Sequence, residues 1–259
     1  MKNNTLSYIH PGAKIGKNVV IEPFATIYDN VEIGDDCWIG PNAVIMPGAR
    51  IGNNCKIHPG AVISNIPQDL KFGGEDSLAI VGDNTTIREC ATINRGTSYA
   101  GKTEIGSNCL IMAYVHIAHD CLIADNVILS NSVQVAGHVE IGYHAIVAGN
   151  SAVHQFSKIG AHVMVSGGSL VRKDVPPYVT AAREPLSYVG VNSIGLERRG
   201  FTKAQVNHIQ DIYRIIFQNG LSTTKAVNLV KQNIPQSEER DSVINFIEKS
   251  DRGIMKGIQ

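Results

Sequence analysis

From residue 105 to residue 176 the sequence runs IGSNCL IMAYVH IAHDCL IADNVI LSNSVQ VAGHVE IGYHAI VAGNSA VHQFSK IGAHVM VSGGSL VRKDVP, twelve six-residue units without a break in phase. Every unit opens on an aliphatic residue: Ile105, Ile111, Ile117, Ile123, Leu129, Val135, Ile141, Val147, Val153, Ile159, Val165 and Val171. Neither the helical nor the strand period is six. A triangular coil with one unit per side does repeat that way, and hexapeptide repeats are the signature of a parallel β-helix. Each side holds a short strand and each corner a two-residue turn. Three units close one coil, so residues eighteen apart stack, and successive coils lie about 4.8 Å apart.

The phase extends back to Ile9. Every sixth residue from Ile9 to Val171 gives 28 positions, of which 25 are aliphatic. Glycine recurs at the second place, and the third and fourth places carry turn formers such as Asp35-Asp36, Pro47-Gly48, Asn53-Asn54 and Asp125-Asn126. Such pairs suit tight corners, because Gly and Asn tolerate positive φ and Pro presets φ. The three exceptions, Asp69, Glu75 and Tyr99, fall into two interruptions, roughly residues 64–79 and 98–104. Both read as loops thrown out of a closed coil, and loops on rigid scaffolds often carry function. Asp69 and Lys71 are the only charges between Ile66 and Gly74, which marks the first loop as functional.

Beyond Val175-Pro176-Pro177 the pattern turns helical. Thr202 reads as an N-cap ahead of an apolar stripe of Val206, Ile209, Ile212, Tyr213, Ile216 and Phe217 that stops at Gly220. A second helix opens at Ser222 or Thr223 and runs to Asn233. A third opens at Ser237, with Val243, Ile244 and Ile247 as its core face. The expected organisation is a β-helix over residues 1–180 and a C-terminal helical subdomain over residues 181–259.

Stacking turns sequence separation into proximity. Ala118-His119-Asp120 lies under Ala136-Gly137-His138, which lies under His154-Gln155-Phe156. Three histidines from successive coils gather on one edge, with His116 nearby, and this edge is the candidate active site. A single corner histidine is more often a solvated surface residue, and His144 and His162, both at the fourth place, are read that way.

Composition excludes several classes. Lys+Arg 23 against Asp+Glu 23 leaves no net charge, against a general nucleic-acid binder. No apolar stretch approaches the roughly 18 residues of a membrane span. No apolar run follows a basic segment at the N-terminus, so no signal peptide is expected. Cys37, Cys55, Cys109 and Cys121 sit at the fifth place, where Ala43, Ala61 and Ala145 also stand. They are expected to be reduced, small core residues of a cytosolic protein.

The chain also resembles a known family. Left-handed β-helix acyltransferases carry this hexad, and over essentially its whole length the chain is similar to the UDP-N-acetylglucosamine 3-O-acyltransferases among them. The resemblance rests on Ile66-Pro67-Gln68-Asp69-Leu70-Lys71, Asn94-Arg95-Gly96-Thr97, His116-Ile117-Ala118-His119-Asp120, Ala136-Gly137-His138, Ala152-Val153-His154-Gln155-Phe156, Asp174-Val175-Pro176-Pro177-Tyr178 and Arg198-Arg199-Gly200-Phe201. It implies left-handed winding, against the usual right-handed preference of crossovers. It also implies a homotrimer with sites between subunits. The implied reaction moves a 3-hydroxyacyl chain from acyl carrier protein to the 3-hydroxyl of UDP-N-acetylglucosamine, the first step of lipid A synthesis, without metal or other cofactor.

Under that resemblance His119 is the general base, a task suited to an imidazole. Gly137 supplies a backbone N–H as oxyanion donor, with no side chain in the way. Asp120 is offered to hold or polarise the imidazole, against the alternation of a strand, which points neighbours to opposite sides. His116, His138, His154 and Gln155 position the sugar nucleotide, and Asp69 and Lys71 contact it from the loop. Asn192 and Arg199 help bind UDP from a neighbouring subunit, and Gly167 limits acyl length. Arg198 and Arg199, with Arg172, Lys173 and Lys203, form a basic surface for acidic carrier protein. Arg183-Glu184-Pro185-Leu186-Ser187 and Ile194 depart from the commonest family pattern.

Two other readings stay open. A γ-type carbonic anhydrase is also a left-handed β-helix trimer with three histidines on zinc. His119 and His154 stand two coils apart, about 10 Å along the axis, although a neighbouring subunit can supply a ligand. Another hexapeptide acyltransferase, acting on a different acceptor or using a CoA donor, is the second.

Overall fold

A computed structural model of the chain describes residues 2–3 and 6–257; the outermost ends of the two expected domains lie outside it. The hexads form a left-handed parallel β-helix with three sheets as the faces of a triangular prism. Every third strand joins the same sheet, as in Leu110–Ile111, Ile128–Leu129, Ile146–Val147 and Met164–Val165 on the first face. On the second face His116 pairs with Gln134 and Gln134 with Ala152, eighteen residues apart each time.

The first place of the hexad fills the prism. Ile105, Ile111, Ile117 and Ile123 are inaccessible to solvent, as are Leu129 and Val135. The fifth place completes the interior with small side chains, and Cys37, Cys55, Cys109 and Cys121 are buried and free, as expected. Burial of one branched aliphatic residue stabilises by about 1.5–3 kcal/mol, and every coil repeats the contribution three times.

At the corners of the regular hexads positive φ falls on the fourth place, not on the third. Asn54, Asn108, Asp120, Asn126, His138, His144 and Phe156 all turn corners in the left-handed region.

The two interruptions leave the coil closed. Ala49 pairs with Ala79 and Val62 with Thr92, thirty apart, so the first loop inserts twelve residues. Leu78 pairs with Lys102, twenty-four apart, so the second inserts six. They are tied together where the Ser98 N–H donates to Glu75 Oε1 (3.0 Å) and Ser77 Oγ donates to the Gly96 carbonyl (2.6 Å).

After the prism the chain does not turn helical at once. Val179–Ala182 continues the first face and pairs antiparallel with Ser187–Val191, a hairpin that the helical reading missed. Four helices are described rather than three: α1 (Ser193–Arg198), α2 (Lys203–Gln218), α3 (Thr223–Asn233) and α4 (Glu238–Glu248). Six residues carry too little periodicity to announce α1. Thr202 caps α2 with a capping box, and Ser237 caps α4. Val206, Ile209, Ile212, Tyr213 and Ile216 are the buried face of α2. None of these helices is long and apolar enough to cross a membrane.

One corner column corrects the sequence reading. Asn18, Asp36, Asn54, Asn84, Asn108 and Asn126 turn it in successive coils, and then His144, His162 and Tyr178 replace them. His162 is not a solvated residue: it is 4% exposed, stacked between His144 (5.1 Å) and Tyr178 (5.7 Å) and edge-on to Phe201 (5.1 Å). The rings mark where the helical subdomain docks. Burial, with the nearby Arg199 charge, pushes the His162 imidazole down to about 4. Below the ordinary imidazole value of about 6.5 the unfolded chain takes up a proton that the folded chain refuses, so stability falls as pH drops from there towards 4. His162→Phe keeps a ring and removes the proton site. Its melting temperature should fall less than that of the parent between about pH 7 and about pH 5; equal falls would place the acid sensitivity elsewhere.

Candidate active site

The corner after the second face carries the three stacked triplets, and the backbone confirms their register. The His138 N–H donates to the His119 carbonyl and the Phe156 N–H to the Gly137 carbonyl, both at 3.1 Å. Asp120 turns this corner with φ +57°, so strand alternation does not govern its side chain. Its carboxylate swings back onto its neighbour, and His119 Nδ1 lies 2.7 Å from Asp120 Oδ2. The contact that alternation opposed is present.

Asp120 is buried, and it accepts from Thr97 Oγ1 (2.7 Å), the Thr97 N–H (3.0 Å) and the Ala100 N–H (3.1 Å). Burial alone would raise its carboxyl, but the bonds from His119, Thr97 and Ala100 outweigh burial and hold it below the ordinary value. A carboxylate can only accept. The proton of neutral His119 is therefore assigned to Nδ1, which leaves a lone pair on Nε2.

Gly137 lies against that lone pair. A Cβ built on Gly137 would stand 2.8 Å from both Cε1 and Nε2 of His119. Glycine is needed here to make room for the imidazole, not to permit an unusual φ. The Gly137 N–H donates to no described residue.

The neighbours close the site on one side. His138 stacks on Phe156 (4.3 Å) and meets Tyr99 (4.5 Å) and His119 (5.0 Å) edge-on. Its buried Nδ1 has no hydrogen-bond partner and lies 3.9 Å from Asp120 Oδ2. Burial lowers the pKa of His138, and burial with the charge of His119 lowers that of His116, whose Nδ1 lies 2.8 Å from Thr92 Oγ1. His154 and Gln155 are exposed one coil further on. A groove of about 510 Å³ opens between Tyr99, Leu122, His138, Phe156, Lys158 and Arg252. In the first loop Asp69 accepts the Lys71 N–H (3.0 Å), and its charge reaches His138, while Lys71 is exposed.

Bacterial transferase hexapeptide repeats match residues 30–65 and 102–137, and the second domain of UDP-N-acetylglucosamine O-acyltransferase matches residues 174–255. The acyl-[acyl-carrier-protein]--UDP-N-acetylglucosamine O-acyltransferase of Chlorobaculum parvum is 48% identical over 255 residues, covering 96% of this chain and 97% of the relative. A solved UDP-N-acetylglucosamine acyltransferase from Bacteroides fragilis superposes with a TM-score of 0.97 at 50% identity, covering 98% of this chain and 100% of that one. Its counterpart from Francisella novicida gives 0.95 at 37% identity, covering 98% and 93%. The chain belongs to the UDP-N-acetylglucosamine O-acyltransferase family.

Several residues assigned through that family lie away from the His119 corner. Asn192 caps α1 by accepting the Gly195 N–H (3.3 Å) and donates to the His162 carbonyl (2.9 Å), which places it on the third corner. Arg199 lies near it, lowered in pKa by burial and with an unpartnered Nη1. Gly167 is exposed, and a Cβ there would meet the Gly149 carbonyl oxygen at 3.2 Å. Arg198 is exposed, whereas Arg172 pairs with Glu184 (2.5 Å) and Lys173 Nζ donates to the Arg252 carbonyl (2.6 Å). The basic surface is thus partly neutralised within the chain.

His119, Asp120 and His138 bring three ligand atoms within 4.8 Å of one another, closer than the His119–His154 spacing considered for zinc. They fit a metal poorly. Both Asp120 oxygens already accept two hydrogen bonds each, and one of the donors is the His119 nitrogen nearest the site.

Gly137→Ala should leave the prism folded, because the position does not need positive φ, while its methyl displaces the His119 ring. A fall in kcat on the order of 10²-fold with an unchanged melting temperature is expected. Full activity in a folded Gly137→Ala protein would contradict the close approach.

Proposed function

We propose that the chain transfers a 3-hydroxyacyl group from acyl carrier protein to the 3-hydroxyl of UDP-N-acetylglucosamine, with His119 as general base. The observation that carries this reading is the His119–Asp120 pair with Nε2 close against Gly137. The sugar hydroxyl loses its proton to Nε2 as its oxygen attacks the thioester carbonyl. Negative charge then builds on the carbonyl oxygen, where the Gly137 N–H can receive it. Asp120 steadies the imidazolium, which returns its proton to the departing thiolate. One acyl–sulfur bond breaks, one ester bond forms, and the base ends as it began.

His116, His138, His154 and Gln155 line the approach and are assigned to positioning the sugar nucleotide, with Lys71 meeting phosphate from the first loop. Asn192 and Arg199 stand at a different corner of the prism. The reading therefore places them in the site of an adjacent subunit, within a homotrimer. Leu110, Ile128, Ile146 and Met164 point outward from the first face yet are only half exposed, an apolar stripe suited to packing against another copy. A β-helix over residues 1–180, a helical subdomain over 181–259 and a cytosolic location complete the proposal, with Arg198 offered to the acidic carrier.

His119→Ala should lose roughly 10²–10⁴-fold in kcat, the usual range for acid–base catalysis, with little change in UDP-N-acetylglucosamine affinity. Near-parental kcat in a folded variant would remove the base. Gly167 is exposed and carries no side chain, which leaves room for the far end of the acyl chain. Gly167→Met should therefore shift preference, across a panel of 3-hydroxyacyl carrier proteins, towards shorter chains; an unchanged profile would show that Gly167 does not floor the acyl groove.

A further inference from the structure

The structure assigns a positioning role to Thr97: through its side-chain hydroxyl it sets the charge that Asp120 presents to His119. Four donors satisfy the buried Asp120 carboxylate, and three of them come from the second loop. The Thr97 and Ala100 N–H groups share Oδ1, while Thr97 Oγ1 and His119 Nδ1 share Oδ2.

The direction of the Thr97 hydroxyl is fixed by its surroundings. Its oxygen accepts the Tyr99 N–H (3.2 Å), and a carboxylate offers no proton, so the hydroxyl donates to Oδ2. The loop that carries it is held stiffly. The Gly101 N–H donates to the Thr97 carbonyl (2.8 Å), and Gly96 sits so close to Lys102 that a Cβ would meet its backbone nitrogen. The loop also bonds to the first loop at Glu75 and Ser77. Thr97 itself is 7% exposed, so water does not stand in for its hydroxyl.

Two donors on one carboxylate oxygen compete for its charge. With the hydroxyl in place Asp120 orients the imidazole but pulls on the Nδ1 proton with only part of its strength. Without it, more charge falls on His119, the imidazolium is favoured, and the base is protonated at higher pH. The other titratable groups facing the pair are His116, His138, Tyr99 and Cys121, with Asp69 acting on His138. None of them belongs to the second loop except Tyr99.

The inference rests on His119 being the base, and the experiment separates the two. Thr97→Val keeps the branched shape and removes the hydroxyl; Thr97→Ser keeps it. With UDP-N-acetylglucosamine and a 3-hydroxyacyl carrier protein, Thr97→Val should lower kcat about tenfold. It should also move the acid limb of kcat/KM up by about half a pH unit or more, and leave UDP-N-acetylglucosamine affinity within about twofold. Thr97→Ser should restore both the rate and the limb. If melting shows Thr97→Val to be misfolded, Thr97→Ala carries the same expectation. A folded hydroxyl-less variant whose acid limb does not move overturns the inference, as does a serine variant that fails to restore it. If His119→Ala keeps its kcat, the base itself is lost; if only Thr97→Val fails to shift the limb, the base stands and Thr97 is structural.

Discussion

The register of the coils is the constraint on which the rest of this molecule depends. One aliphatic residue per side, repeated without a slip, leaves a single way to stack the prism, because a shift by one residue would turn interior side chains outward. Ile117, Val135 and Val153 lie one above another inside the second face. Their alignment fixes the corner residues that follow them. His119, Gly137 and Gln155 share a column for that reason, and no contact among them is needed to bring them there. Parallel pairing supplies the backbone bonds, and the interior supplies the free energy.

Against that rigid frame the site holds a buried charge. A carboxylate taken out of water is costly unless it is paired and fully bonded. Asp120 meets the requirement with two hydrogen bonds on each oxygen. The second loop exists at the one corner where these donors are used, so an insertion that costs the coil nothing in register completes the charge network. The result is an imidazole whose proton is held on the side away from the reacting point, beside a backbone that only glycine can keep clear.

Much of this was legible in the sequence because a hexad converts spacing into height. The prism, the interior cysteines, the capped helices at Thr202 and Ser237 and the stacked triplets all follow from counting. Several features did not follow. The His119–Asp120 contact depends on the left-handed turn at Asp120, which strand alternation cannot describe. Gly137 also makes room for the His119 ring, a close approach that spacing alone does not reveal. His162 at a corner reads as a surface residue, yet its column holds the signal: asparagine and aspartate turn that corner until histidine and tyrosine replace them where the helices dock. The hairpin at Val179–Val191 and the short helix at Ser193 carry too few periods to stand out. Arg199 and Asn192 lie at another corner, and only an assembly of several chains would unite them with His119.

The central claim is that Asp120 fixes the His119 proton on Nδ1 and leaves Nε2 free to accept one. Nitrogen-15 NMR of histidine-labelled protein near neutral pH, with His119→Gln used to assign the signals, reads this directly. The account predicts a protonated, pyrrole-like shift for His119 Nδ1 and an unprotonated, pyridine-like shift for Nε2. The reverse pattern, with the proton on Nε2, would contradict it.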